Sequence, residues 1–439
     1  MLLRVRARLS PGRLWLRLRA SFWFTPALIV LGSMLLAVLL VEIDVGSTAD
    51  LALWSPRLFG AGADGSRAML SAIATSMVTV AGVVFSITIV TLSLTATEYS
   101  PRVLRNFMRD APTQVVLGVF VGIFAYCLVV LRTIRGGDEG EFIPSLAVLG
   151  GLGYAFAGIG VLIYFIHHVA LSIQASSILG RIAADTELAI DHLFPQQIGE
   201  PGAPVPEAGE IRLPPGWHAV RARRSGYVQS IDADALLRHA CACDTVVRLR
   251  VRIGQYVSER TTLLEAGTGR VADDDLDGLG ESVVVGRQRT VEQDAAFGLQ
   301  QLVDIALRAL SPGVNDPTTA CMCINELGRL LARLGCRAMP QAHRFAGGDL
   351  RVIAPAPEFG QMMDEALLPV LHHAAGDLQV LAHVLAALEA IRDDLPDAGR
   401  QAALRPCVAE LRSELARIRP RRRSAPLRRR LRHVAAGLG

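Results

Sequence analysis

Four stretches of the chain run apolar without the interruptions that a water-facing surface needs: Phe22 to Val41, Met69 to Thr95, Thr113 to Leu131 and Ile143 to Ile166. A hydrocarbon core of about 30 Å takes roughly 20 helical residues, so each predicts a membrane-spanning helix. The first run exceeds the roughly 7–15 residues of a signal-peptide core, and no small-residue cleavage site follows closely. It reads as a retained helix. Glycines crowd the fourth stretch (Gly150, Gly151, Gly153, Gly158, Gly160) and predict surfaces of close helix approach.

Past the fourth span the pattern stays helical from His167 to Phe194, which predicts a cytoplasmic helix over 167–194. Residues 195–216 hold six prolines and four glycines and read as a linker at a domain boundary. The period then becomes two. Val247, Leu249, Val251 and Ile253 alternate with Arg248, Arg250 and Arg252, a half-buried strand with an arginine-lined outer face. With Gly226-Tyr227-Val228 and Gly254-Gln255-Tyr256-Val257 it predicts a small β module over 217–270, in spacing similar to a barrel-sandwich carrier fold.

Helical periodicity returns over 281–395. Val291, Ala295, Leu299, Leu302, Ala306 and Leu310 mark one face, and Ser311-Pro312-Gly313 ends it. Asp316 then serves as N-cap with Pro317 at the first helical position, and Ala320, Ile324, Leu327, Leu331 and Leu334 form the next stripe. Leu381, Val384, Leu388 and Ile391 mark a third helix. The expected fold is a mostly α membrane protein, four transmembrane helices followed by a cytoplasmic α+β region made of a small β module and a helical hairpin or bundle.

Charge orients the spans. Residues 1–21 carry six arginines and no acid, and Arg102, Arg105 and Arg109 follow the second span. The 42–68 loop has two arginines against four acids, and 132–142 two against three. Basic flanks stay inside, so both termini are expected in the cytoplasm. A mean hydropathy of +0.36 over 439 residues agrees with a membrane protein. All 45 basic side chains are arginine. That excludes Schiff-base catalysis, a P-loop lysine and a carrier-domain lysine. A net charge of +4 makes no case for nucleic acid. Seven cysteines, an odd number without small-domain spacing, fit a reducing compartment better than a disulfide framework.

The second span differs from the others in its hydroxyls. Thr75, Thr79, Ser86 and Ser93 share a stripe, and Thr88, Thr91 and Thr95 another. Such a stripe lines a wet path in an oligomer, where hydroxyls replace part of an ion's hydration shell, or it packs against a neighbouring helix. No ionisable residue sits mid-span, which argues against a carboxylate relay.

Arg289, Gln293, Asp294, Asn315 and Asp316 gather near the predicted hairpin as a candidate polar pocket, although cap and turn chemistry alone also explains the last two. His167 and His168, where the fourth helix ends, are candidates for interfacial pH sensing. Cys241 and Cys243 beside His239, Cys321 with Cys323, and Asp273, Asp274, Asp275 and Asp277 suggest metal only weakly, because zinc ligands usually stand two to four residues apart. No metal and no cofactor is therefore expected. Nor is an enzyme, since no nucleophile elbow, P-loop, HExxH or dinucleotide fingerprint occurs. The tail over 416–439 is arginine-rich and either docks on anionic lipid or stays solvated.

The strings Arg289-Thr290, Gln293-Asp294, Phe297-Gly298 and Ala309-Leu310-Ser311-Pro312-Gly313-Val314-Asn315-Asp316-Pro317-Thr318-Thr319-Ala320 resemble the signature of a bacterial predicted-membrane-protein family, domain of unknown function 2254. The likeness extends to Ser100-Pro101-Arg102 and to Phe165-Ile166-His167-His168, and leaves out the arginine-rich tail. It implies a bacterial inner-membrane location and a shared architecture, without an assigned activity. The functional expectation divides between an oligomeric, channel-like conduit with a cytoplasmic gate or vestibule and a membrane-tethered sensor or scaffold. Its partners are the bilayer, anionic lipid and further copies of the chain.

Overall fold

The computed structural model describes residues 23–46, 62–98, 110–135, 142–194, 213–268, 273–291, 293–374 and 376–438. They form two compact units, residues 1–174 and 175–439. The basic start over 1–21, the Ser100-Pro101-Arg102 string with Arg105 and Arg109, and most of the Pro/Gly linker lie outside the described residues.

The first unit consists of α1 (Phe24–Gly46), α2 (Ala63–Glu98), α3 (Ala111–Thr133) and α4 (Ser145–Ser172), each long and apolar enough to cross a membrane. The helices outrun the predicted spans where polar residues tolerate helix outside hydrocarbon. Thus α2 begins before Asp64 and Arg67, and the Arg67 guanidinium donates to the Ile134 carbonyl at the end of α3 (2.9 Å).

α3 lies among the other three. Glycine sets the spacing: a Cβ on Gly118 would stand 2.9 Å from the Pro26 backbone, and one on Gly122 2.5 Å from Ser33 Oγ. These approaches make α1 and α3 parallel. Leu70 against Gly151 and Met77 against Gly158 likewise make α2 and α4 parallel. The seam is filled by Leu70, Phe120, Ile123, Tyr126 and Val130, all essentially fully buried. Each buried polar group in it is satisfied: Tyr126 donates to the Ala147 carbonyl (2.7 Å), and Ser33 and Tyr154 share a 2.7 Å bond. Asp44, near the end of α1, accepts from the Leu146 amide (3.1 Å) in the first turn of α4, where an acid complements the free amides. α1 packs on α3 and α4, while α2 packs on α3 and α4 from elsewhere; α1 and α2 form no substantial contact with each other among the described residues.

The second unit begins with α5 (Ala175–Leu193). The helix expected over 167–194 is therefore two helices, with the chain turning at Ile173 and Gln174, and His167 and His168 belong to α4.

The β module contains β1 (Trp217–Arg221), β2 (Gly226–Ile231), α6 (Ala233–Ala242), β3 (Val247–Leu249), β4 (Tyr256–Val257), β5 (Thr262–Gly267), α7 (Asp273–Glu281) and β6 (Val283–Gly286). Regular strand covers only the first three residues of the predicted 247–253 run. Past it, Arg250 N still bonds the Leu263 carbonyl before Gly254 turns the chain at φ +81°.

The bundle follows as α8 (Ala295–Ala309), α9 (Pro317–Gly335), β7 (His343–Ala346), β8 (Asp349–Ile353), α10 (Phe359–His373), α11 (Leu378–Asp394), α12 (Ala398–Ala402), α13 (Arg405–Arg417), a 3-10 turn (Arg421–Ser424) and α14 (Ala425–Ala436). The β7–β8 hairpin, from within the stretch read as helical, joins the β module. The five-stranded order is β1-β5-β3-β8-β7, with β3 and β8 parallel (Val247 opposite Val352), and a second sheet runs β4-β2-β6. Val228, Val247, Leu264, Ala266 and Leu279 form its core.

The hairpin caps follow the sequence. Asp294 and Asp316 accept from the Phe297 and Thr319 amides at 3.0 and 3.1 Å. Every residue of the second predicted stripe is 0 % exposed, as are Leu381, Val384, Leu388 and Ile391 on α11. Close packing of α8 on α5 depends on Gly298, where a Cβ would stand 2.0 Å from Thr186 Oγ1.

Candidate functional site

The five polar residues near the hairpin do not converge. Arg289, Gln293 and Asp294 meet at the start of α8, while Asn315 and Asp316 lie beyond its end. Fifteen helical residues separate the groups, which at 1.5 Å per residue is about 22 Å.

At the first end, Arg289 donates through Nε and Nη2 to Asp294 Oδ2 (2.9 and 2.8 Å) and stacks over the Phe297 ring, 4.8 Å from its centroid. The Asp294 side chain is 5% exposed and that of Arg289 27%. Burial pushes the Asp294 carboxyl above its ordinary value, against the pull of Arg289 and of the Phe297 amide. Gln293 Oε1 accepts from the Ile231 amide (3.0 Å) at the end of β2. Gly254 covers the pair; a Cβ there would fall 2.3 Å from Asp294 Oδ2. The three side chains thus join the bundle to the β module, Arg289 and Asp294 through each other and Gln293 through the β2 backbone.

At the other end, Asn315 is exposed with φ +49°, a left-handed position that asparagine tolerates. The hydroxyl and amide of Thr319 hold the Asp316 carboxyl below the usual range. Both residues fold the chain into α9.

On α2, Thr75, Thr79, Ser86 and Ser93 all lie on the exposed face of the first unit, whereas Thr91 and Thr95 of the second stripe are buried. The hydroxyls of Thr79 and Thr97 donate back to the Thr75 and Ser93 carbonyls (2.8 and 3.0 Å). A Cβ on Gly82, in the middle of the stripe, would meet nothing within 4 Å.

Among the described residues His168 is the one of the two histidines with polar partners. Its Nε2 lies 2.9 Å from Asp110 Oδ2, its ring stacks on Tyr164, and Ser172 Oγ stands 3.3 Å away. Asp110 is also the N-cap of α3, bonded to the Thr113 hydroxyl (2.6 Å).

Of the metal-suggestive groups, Cys243 and Asp275 meet. Cys241 and Cys336 are exposed, while Cys243, Cys321, Cys323 and Cys407 are buried. His239 Nδ1 lies 2.7 Å from the Ala235 carbonyl. No group of three metal-ligating side chains converges among the described residues. Arg248 and Arg250 of the strand face are taken up by Glu265, and Arg248 stacks 4.1 Å over Trp217.

One cluster escaped the sequence reading. Arg329 and Arg333 on α9 and Arg337 just past its end repeat every four residues, opposite Glu187 and Asp191, also four apart, on α5. The Arg333 guanidinium holds the Asp191 carboxyl below its ordinary value. The shared spacing was the available signal. Beside this ladder an open groove of about 610 Å³ runs between α9 and α11, floored by Gly328, Ala387 and Ala390.

The tail is folded rather than free. Leu431, Val434 and Leu438 are buried, Arg430 pairs with Glu389 and Arg428 donates to the Leu415 carbonyl.

A family model described as "Predicted membrane protein (DUF2254)" matches residues 19–390. Uncharacterized proteins of Mycobacterium tuberculosis and Mycobacterium bovis are each 34% identical over 357 residues, 78% of this chain and 67% of theirs. No solved structure matches.

Proposed function

We propose that this chain, which belongs to the DUF2254 family of predicted membrane proteins, is a homo-oligomeric conduit of the bacterial inner membrane, with its C-terminal unit a cytoplasmic gate or vestibule. The observation that carries the reading is the outward position of Thr75, Thr79, Ser86 and Ser93 on α2. Among the described residues the inside of the first unit is filled by Phe120, Ile123 and Tyr126. The polar stripe can therefore be wetted only between copies. Its length fits: Thr75 to Ser93 is eighteen steps of a helix, about 27 Å, against a hydrocarbon core of about 30 Å.

The stripe's chemistry bears on the cargo. The Thr79 hydroxyl donates to its own helix and presents only lone pairs outward. That position suits water or a small cation. The groove between α9 and α11 favours a second reading, a tethered scaffold whose hairpin binds a protein or small ligand.

Native mass in nanodiscs comes first, followed by Thr79→Cys and Ser86→Cys in a background lacking Cys241 and Cys336, with Phe85→Cys for comparison. A discrete oligomer whose two stripe thiols react with a membrane-impermeant reagent, while the position 85 thiol does not, is the expected result. A monomer, or stripe thiols as inert as the one at position 85, refutes the conduit.

A further inference from the structure

The folded tail carries a second feature that neither capping nor packing uses. α14 is fixed from beneath by Leu431, Val434 and Leu438, by Arg430 on Glu389 and by the Arg405 guanidinium on the Leu438 carbonyl (2.9 Å). Its outer face and the adjoining 3-10 turn present Arg421, Arg422, Arg423, Arg429 and Arg432, all exposed. Among the described residues none of these five is paired with a carboxylate, whereas Arg430 pairs with Glu389 and Arg428 donates to the Leu415 carbonyl. No acid occurs after Glu414, and Glu414 itself is buried against Arg417. The remaining exposed side chains of the face are His433 and the small Ala425, Pro426 and Ala436, with no large apolar group to insert into acyl chains.

A rigid guanidinium surface of this kind recognises arrayed phosphates. Two anionic macromolecular surfaces offer them, a nucleic acid and a lipid leaflet. The chain's own spans favour the second: only Ile173 and Gln174 separate α4 from α5, so the second unit is covalently held to a membrane protein and meets headgroups at high effective concentration. We propose that the outer face of α14 and the 3-10 turn form an electrostatic docking surface for anionic phospholipid headgroups. The contact is peripheral, reversed by salt, and independent of whether copies of the chain form a conduit.

Trypsin reads this directly, because the proposed contacts are themselves cleavage sites. The full chain is placed in nanodiscs of phosphatidylcholine alone or with about a third phosphatidylglycerol, and cleavage after Arg421, Arg422 and Arg423 is expressed relative to cleavage after the exposed Arg224. An arginine held at an anionic surface is worth about fivefold in occupancy, so cleavage in the anionic discs should be at least about tenfold slower. It should return to the phosphatidylcholine rate in about 0.5 M NaCl, where screening falls to a few ångströms. The variant Arg429→Gln/Arg432→Gln keeps all three cleavage sites and should weaken the protection by up to about 25-fold, abolishing it where it is smaller than that. Equal rates in the two lipids overturn the proposal. So does a single-stranded oligonucleotide that protects the tail in phosphatidylcholine discs as strongly as phosphatidylglycerol does.

Discussion

Replacing Asp294 tests whether the joint between bundle and β module is structural. In Asp294→Ala the first turn of α8 loses the cap on the Phe297 amide, about 1 kcal/mol. It also leaves Arg289, only 27% exposed, without its acceptor, a further cost of about 1–3 kcal/mol. The sum, about 2–4 kcal/mol, corresponds to amide exchange in the 295–303 segment faster by about 30- to 700-fold, at about 1.4 kcal/mol per factor of ten. The double variant Arg289→Leu/Asp294→Ala removes the orphaned charge along with its partner and should recover about 1–2 kcal/mol of that loss. Asp294→Asn keeps an acceptor for the cap and isolates the effect on Arg289. Hydrogen exchange followed by mass spectrometry on the full chain in nanodiscs measures all three, with α13 as internal reference. A change below threefold in Asp294→Ala, or a double variant that exchanges faster than the two singles combined, refutes the joint.

Gly298→Ala should destabilise the second unit by about 1–3 kcal/mol through collision with Thr186, and Thr186→Gly should return part of it; thermal unfolding of both variants checks this. N-Ethylmaleimide at about pH 7.5 should modify Cys241 and Cys336 and spare Cys407, whose thiol burial pushes up to about 12; peptide mapping gives the answer. Asp191 is lowered in the folded state, so its contribution is complete above its ordinary value near 3.8 and is lost as pH falls through the depressed one. Asp191→Asn should accordingly flatten the acid limb of the stability profile below about pH 4 and leave neutral pH less affected by salt than in the parent. Asp294 has the opposite sign, since its raised value favours the protonated folded state, and its contribution declines as pH rises through that value.

What the sequence revealed was local. Four apolar runs and the helical hairpin could be read because span length, the 3.6-residue period and the Asp316-Pro317 start depend on neighbours within a few turns. The β7–β8 hairpin could not, because its place in the sheet depends on Val352 pairing with Val247 about a hundred residues away. Proximity along the chain also misled: Asp294 and Asp316 belong to one signature, yet α8 holds them apart along its full length. In the tail, a dense run of arginine obscured Leu431, Val434 and Leu438, whose three- and four-residue spacing was the sign of a packed helix. The α2 stripe was visible from spacing; that it faces outward depends on which side the glycines of α4 bring into contact.

The central position of α3 has a consequence for biogenesis. Insertion proceeds from the N-terminus, and α1 and α2, made before α3, have almost no surface for each other among the described residues. Both find their partner only when α3 arrives: Gly118 and Gly122 receive α1, and Ile134 receives Arg67 of α2. Until then each lacks that partner in lipid, and α2 meets its glycines only later, on α4. The nascent chain therefore starts to assemble its membrane core only with synthesis of residues 111–133, and α4 then completes it through Gly151 on Leu70 and Gly158 on Met77. A ribosome stalled before α3 would release two single helices that quality control can recognise as unassembled.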